Sequence, residues 1–330
     1  MIPADVSDRE IPQFDRTGRH NVTMQPFARM MLAVLVGACA MVAGSATAAP
    51  TAGPSHTQLF PLPAPEPQGV RAPEAELADA TTGIALWSRR ANTPAPIGSI
   101  VKVMTALVVL NSGDLDRNIT VPQGIIAYDA AYDGSTAGLA PGEVLTAREL
   151  LYALLLPSGC YAAYALAESY GPGQDAFIAK MNATARQLGM AGTHFSDPSG
   201  LPNPTGYSTQ STPADLVTLG MRAMGQPVFR DIVRLQNFHL PAAPGHRDHV
   251  WQTTNRLLRD YPGATGIKTG STDAAGTCLL FEAVRAGRPL IGVVLHSSPD
   301  SGAAAADDAQ RMLTWGYGPI LSALSVLRIG

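Results

Sequence analysis

The sequence predicts an α+β fold of mixed α/β character: an antiparallel sheet flanked by helices, with an inserted helical subdomain. Three observations carry this. Short apolar segments bounded by turn residues cluster at both ends of the folded part. The middle has helical periodicity instead. No fixed period suggests a repeat architecture. Strands, then helices, then strands and a closing helix fit a layered fold with one sheet.

In chain order, Glu74–Ala80 and Ile84–Arg90 flank Thr81, Thr82 and Gly83, the pattern of a β-hairpin. Ser99–Leu110 is apolar enough for a buried helix. Thr146 and Glu149 have capping-box spacing and open a helix that Pro157 stops. Ala162–Tyr170, Gln174–Leu188 and Thr212–Met224 read as further helices. Thr265–Lys268, Thr277–Arg285 and Leu290–His296 read as strands joined by glycine-containing turns, and Ala303–Trp315 as the last helix. The chain ends 15 residues after Trp315, so residues 74–330 are read as one folded unit.

Residues 1–48 read as an extension plus a secretory signal. Arg29 precedes the apolar run Met30–Gly44, and Ser45–Ala49 supplies small residues with A-x-A spacing. Two alternatives stay open. The stretch 30–49 has about the ~20 residues that cross a bilayer and would serve as a membrane tether. Val36–Cys39 loosely resembles a lipoprotein processing site. All three place the remainder outside the cytoplasm. Residues 49–73, with seven prolines, read as an extended linker.

A net charge of −3 over 330 residues implies no large basic surface and excludes a dedicated nucleic-acid binder. Three cysteines make no disulfide scaffold, although a single Cys160–Cys278 bridge stays open. Of 23 basic residues only Lys102, Lys180 and Lys268 are lysines. Lysine can lose its proton and arginine effectively cannot, so each lysine invites a chemical reason.

Three constellations follow. Ser99 and Lys102 lie three apart where Gly98 gives way to an apolar run, so they share a helix face. A serine at a helix start, with a desolvated lysine one turn below, suits a nucleophile and its base. Alone, the pair also describes a capping serine and a solvent-facing lysine. Ser158 sits between Pro157 and Gly159 at a break between apolar helices, placed to relay a proton or simply to cap a corner. Lys268, Thr269, Gly270 and Ser271 form a strand segment with a cation and hydroxyls for a carboxylate. Gly270 would let a ligand backbone approach. An ordinary edge-strand lysine fits too.

Together, S-x-x-K, S-x-C and K-T-G in this order resemble the active-site signature of the penicillin-recognising serine enzymes. The stretches Ser135–Gly159, Leu188–Phe195 and Met312–Gly316 resemble the low-molecular-mass D-alanyl-D-alanine carboxypeptidases, over about residues 74–317. The resemblance implies a β-lactamase/D,D-peptidase-like transpeptidase fold. It implies Ser99 as the acylated nucleophile, Lys102 as its base and Ser158 as proton relay to the leaving D-Ala nitrogen. Lys268 and Thr269 would hold the terminal carboxylate of a peptidoglycan pentapeptide ending in D-Ala-D-Ala. The N–H groups of Ser99 and Ser271 would form the oxyanion hole. β-Lactams would acylate Ser99, and no metal or cofactor is implied.

Cys160 stands where the family usually has asparagine, whose amide holds the substrate and orients the lysine. A thiol is a weaker donor and acceptor. This bears on the balance between carboxypeptidase and transpeptidase activity, and leaves an inert wall-peptide scaffold as the alternative. No E-x-x-L-N loop supplies the deacylating glutamate of a class A β-lactamase. His246 and His249 lack a third ligand at zinc spacing and read as a polar loop.

Overall fold

A computed structural model describes residues 66–123, 134–202 and 209–318. The expected signal and most of the expected linker lie outside the described residues.

In chain order the elements are β1 (Glu74–Asp79), β2 (Ala85–Arg89), β3 (Ala95–Pro96), a 3₁₀ turn (Gly98–Val101) and α1 (Lys102–Ser112). Then come β4 (Asn118–Thr120), β5 (Val144–Thr146), α2 (Ala147–Leu155), α3 (Cys160–Tyr170), α4 (Gln174–Gln187), β6 (Gln210–Ser211), α5 (Pro213–Met224) and α6 (Pro227–Val233). The last part holds β7 (Asn237–Leu240), β8 (His249–Gln252), α7 (Leu257–Asp260), β9 (Ala264–Thr272), β10 (Gly276–Arg285), β11 (Arg288–Leu295) and α8 (Gly302–Gly316).

Among the described residues the main sheet has five strands in the order β2-β1-β11-β10-β9. All its pairings are antiparallel, as expected from the sequence. The central strands are buried on both faces because alternate side chains serve different cores. Leu279, Phe281 and Ala283 pack with Ala305, Ala309 and Met312 of α8. Cys278 and Leu280 face the larger core built from α1 to α6. That core surrounds α1, whose residues from Lys102 to Val109 are all buried. A helix apolar all round belongs inside a protein, and a lysine at its start is carried inside with it.

Two helix starts follow the sequence. Thr146 Oγ1 accepts the Glu149 N–H at 3.2 Å, and the Glu149 carboxylate accepts the Thr146 N–H at 2.7 Å. Thr212 caps α5 in front of Pro213. Three expectations need correction, and one possibility that the sequence left open is closed. The α-helix begins at Lys102, and Ser99 sits in the preceding 3₁₀ turn. Val70 and Ala72, assigned to the linker, are buried against α8, with Arg71 bound to Asp308. The polar loop expected at His246–His249 runs into β8, where His249 is buried against Glu143. Cys160 and Cys278 are both buried, and no disulfide joins them. Burial pushes the Cys278 thiol up to about 12. Among the described residues, no helix is long and apolar enough to cross a membrane.

Candidate active site

The site forms where the 3₁₀ turn meets strand β9. The contact is close enough to fix two glycines. Gly98 has φ 51°, and a Cβ there would stand 2.8 Å from the Ser271 nitrogen. A Cβ on Gly270 would stand 2.3 Å from the Ile97 carbonyl oxygen. Gly270 therefore lacks a side chain so that the protein's own backbone can pack there, which corrects the expectation that a ligand uses that space. The junction puts the Ser99 turn directly beside Ser271.

Ser99 comes together with the lysine one turn later. Lys102 Nζ lies 2.8 Å from Ser99 Oγ, donates to the Ser199 carbonyl at 2.6 Å and lies 3.5 Å from Cys160 Sγ. Lys102 is fully buried, and among the described residues it makes no ion pair with a carboxylate. A hydroxyl in hydrogen-bond contact with a buried amine is the arrangement an activated nucleophile requires.

Ser158 occupies a strained corner between α2 and α3. Its φ of 67° is unusual for a residue with a side chain. Flanking hydrogen bonds hold the corner: the Gly159 N–H donates to the Ala153 carbonyl and the Cys160 N–H to the Ser135 carbonyl, both at 2.9 Å. Among the described residues the buried Ser158 Oγ has no hydrogen-bond partner, and such strained, unsatisfied groups cluster at functional sites.

Ser99, Ser158, Thr269, Gly270 and Ser271 line one cleft of about 550 Å³, together with Ser135, Thr254 and Arg256. Lys268, on β9, is also buried; its Nζ donates to the Thr269 carbonyl at 3.1 Å and lies 3.4 Å from Thr269 Oγ1. Burial, and secondarily the nearby Lys102 charge, hold its amine well below the usual lysine range. The third lysine serves structure: Lys180 donates to the Tyr170 carbonyl at the end of α3. His239 pairs with Asp248 and His249 with Glu143, and among the described residues no group of three His, Cys, Asp or Glu could hold a metal ion.

The sequence pattern of the D-alanyl-D-alanine carboxypeptidases matches residues 63–298, more than half of the chain. The chain belongs to that family. A D-alanyl-D-alanine carboxypeptidase of Streptomyces sp. strain K15 is 39% identical over 248 residues, 72% of this chain and 84% of that protein. The D-alanyl-D-alanine carboxypeptidase DacB2 of Mycobacterium tuberculosis is 40% identical over 242 residues, 73% of this chain and 80% of its own. The crystal structure of the Streptomyces K15 DD-transpeptidase superposes with a TM-score of 0.70 at 38% identity, covering 75% of this chain and 97% of that one. The fold is thus the D,D-peptidase fold that the signature implied.

The family signature does not name the residues behind Lys102. Asp197 is buried, and its Oδ1 accepts from the Ser199 N–H (2.6 Å), Ser199 Oγ (2.6 Å) and the Gly200 N–H (2.7 Å). Its Oδ2 accepts from the Tyr164 hydroxyl at 2.7 Å. This network fixes the Ser199 carbonyl that receives Lys102. In the sequence Asp197, Pro198, Ser199 and Gly200 read only as a turn. Thr254 and Arg256 of the cleft carried no motif at all. Their one signal is position, just before a strand already marked by Lys268.

Proposed function

We propose that this chain is a serine D,D-peptidase working on peptidoglycan stem peptides, with Ser99 as nucleophile. Ser99 Oγ attacks the carbonyl carbon between the two terminal D-Ala residues while Lys102 takes its proton. The scissile C–N bond then breaks, and Ser158 relays a proton to the departing nitrogen. The Ser99 and Ser271 N–H groups receive the developing oxyanion. Lys268 and Thr269 hold the terminal carboxylate. Water or an amine then attacks the Ser99 ester, the ester C–O bond breaks, and Ser99 regains its proton. Cys160, beside Lys102, bears on how the acyl group divides between the two acceptors. Export beyond the cytoplasm by the N-terminal segment, either cleaved or kept as a tether, belongs to the same proposal.

The observation that carries this reading is the 2.8 Å contact between Ser99 Oγ and the buried Lys102 amine at a cleft. A fluorescent penicillin tests it: the wild type becomes covalently labelled and Ser99→Ala does not. Release of D-Ala from a diacylated D-Ala-D-Ala peptide then identifies the enzyme. Labelling without D-Ala release or transfer to an amine would turn the reading towards a peptide-binding scaffold.

A further inference from the structure

The segment after β8 borders two recesses. Thr254 and Arg256 line the catalytic cleft. Thr253, Asn255 and again Arg256 line a second recess of about 230 Å³, with Gln236, Gln252 and Arg259 among its other walls. Neighbouring residues of one short segment thus serve different recesses, and Arg256 stands at the lip they share.

The second recess is built to donate hydrogen bonds. Asn255 is only 2% exposed. Its Oδ1 accepts the Leu257 N–H at 3.1 Å, but its buried Nδ2 has no partner among the described residues. Such orphaned donors are few in native structures and call for an explanation. Asp260 sits between two guanidiniums, at 2.8 Å from Arg259 and 3.5 Å from Arg256. One carboxylate between two arginines leaves a net positive charge. Amide donors beside that charge suit peptide carbonyls and a carboxylate.

We propose that this recess is a subsite for the amine-bearing peptide stem: the acceptor in amine transfer and the leaving strand in cross-link cleavage. The inference rests on the function proposed above. There the terminal carboxylate meets Lys268 and Thr269, and Thr254 Oγ1 lies 2.5 Å from Thr269 Oγ1. A leaving D-Ala ends at that carboxylate. An amine component that continues as a peptide passes beyond it, across Thr254 and Arg256, towards the recess. The acceptor nitrogen enters where the leaving nitrogen departs, because the two steps are the reverse of one another. Its nitrogen bonds to the acyl carbon, the ester C–O bond to Ser99 breaks, and the amine proton returns to Ser99 Oγ by way of Ser158 and Lys102. The recess holds the remainder of that stem.

The test uses the full chain carrying Gln252→Ala and Arg259→Ala together. Both side chains are exposed and outside the catalytic cleft. One diacylated D-Ala-D-Ala donor is offered with two acceptors, glycine or a stem tetrapeptide bearing a free side-chain amine. Penicillin acylation and transfer to glycine are expected to stay within about twofold of wild type. Transfer to the tetrapeptide is expected to fall about tenfold, the size of effect that lost hydrogen bonds to a charged group produce. Equal changes for both acceptors would overturn the subsite. So would a wild type that neither transfers to the tetrapeptide nor cleaves a cross-linked dimeric peptide. Failure of penicillin to label the wild type would instead overturn the underlying function, so the two failures are distinct.

Discussion

Two buried lysines stand behind residues that line one cleft, Lys102 beside Ser99 and Lys268 beside Thr269, and they are held in different ways. Lys102 rises from a helix start and is engaged by Ser99, the Ser199 carbonyl and Cys160. Behind that carbonyl, Asp197 gathers four short hydrogen bonds. Lys268 comes from a strand and, among the described residues, its hydrogen bonds go to the carbonyl and hydroxyl of the next residue, Thr269. A base must be fixed relative to the proton it takes, because small displacements are costly. A cation awaiting a carboxylate does better with its donors uncommitted. The many contacts of Lys102 and the few of Lys268 therefore agree with the roles proposed for them above.

The largest expected effect tests the fixed side. Lys102→Arg keeps the positive charge but cannot act as a base. Its penicillin acylation is expected to fall by about a thousandfold, within the span of general-base contributions. Stopped-flow or gel labelling measures this, and a rate within tenfold of wild type would remove Lys102 from the role.

The open side predicts a smaller and more selective loss. Lys268→Gln is expected to lower kcat/KM for a peptide acid by about 10- to 100-fold, the worth of one charge-assisted hydrogen bond. The same variant should hardly change turnover of the corresponding C-terminal amide. Parallel losses on acid and amide would mean that Lys268 does not read the carboxylate.

The same contrast explains what was legible in the sequence. The sheet, α2 with its capping box and the apolar α1 follow from periodicity and local chemistry and could be read directly, although α1 starts at Lys102 and not at Ser99. Ser99, Lys102, Ser158 and Lys268 were legible because a linear signature names them, and the cleft brings these segments together. Asp197 was not, since its role depends on a carbonyl two residues away that receives a lysine 97 residues earlier in the chain. Gly270 misled for a related reason: what fills the space beside a glycine is a tertiary fact, here the Ile97 carbonyl. The β7–β8 hairpin was hidden because Pro241, Pro244 and the surrounding histidines outweigh short alternating strands in a local reading.

The buttress can be probed separately from the base. Asp197→Ala leaves the Ser199 and Gly200 N–H groups and the Tyr164 hydroxyl without their buried acceptor. Acylation is expected to drop about tenfold as the Ser199 carbonyl loosens, with a cost of ~1–3 kcal/mol for each donor left unpaired. Asp197→Asn keeps an acceptor oxygen for the two N–H groups and should recover most of the rate. If both variants lose equally, the position matters through charge and not through holding the carbonyl.

The smallest expected effect is on stability, and its sign follows from burial. Folding holds the Lys268 amine well below its ordinary value, first through desolvation and then through Lys102. The unfolded chain titrates near ~10.4, so below that pH it binds the proton more readily than the folded protein does. The resulting penalty is full below the folded pKa and fades as pH rises towards ~10.4. Lys268→Met removes the penalty. Its Tm is expected to exceed the wild type's by a few degrees at the acidic end of that window. The gap should narrow steadily with increasing pH. A gap that stays constant across the window would show that Lys268 does not pay for its burial through its charge.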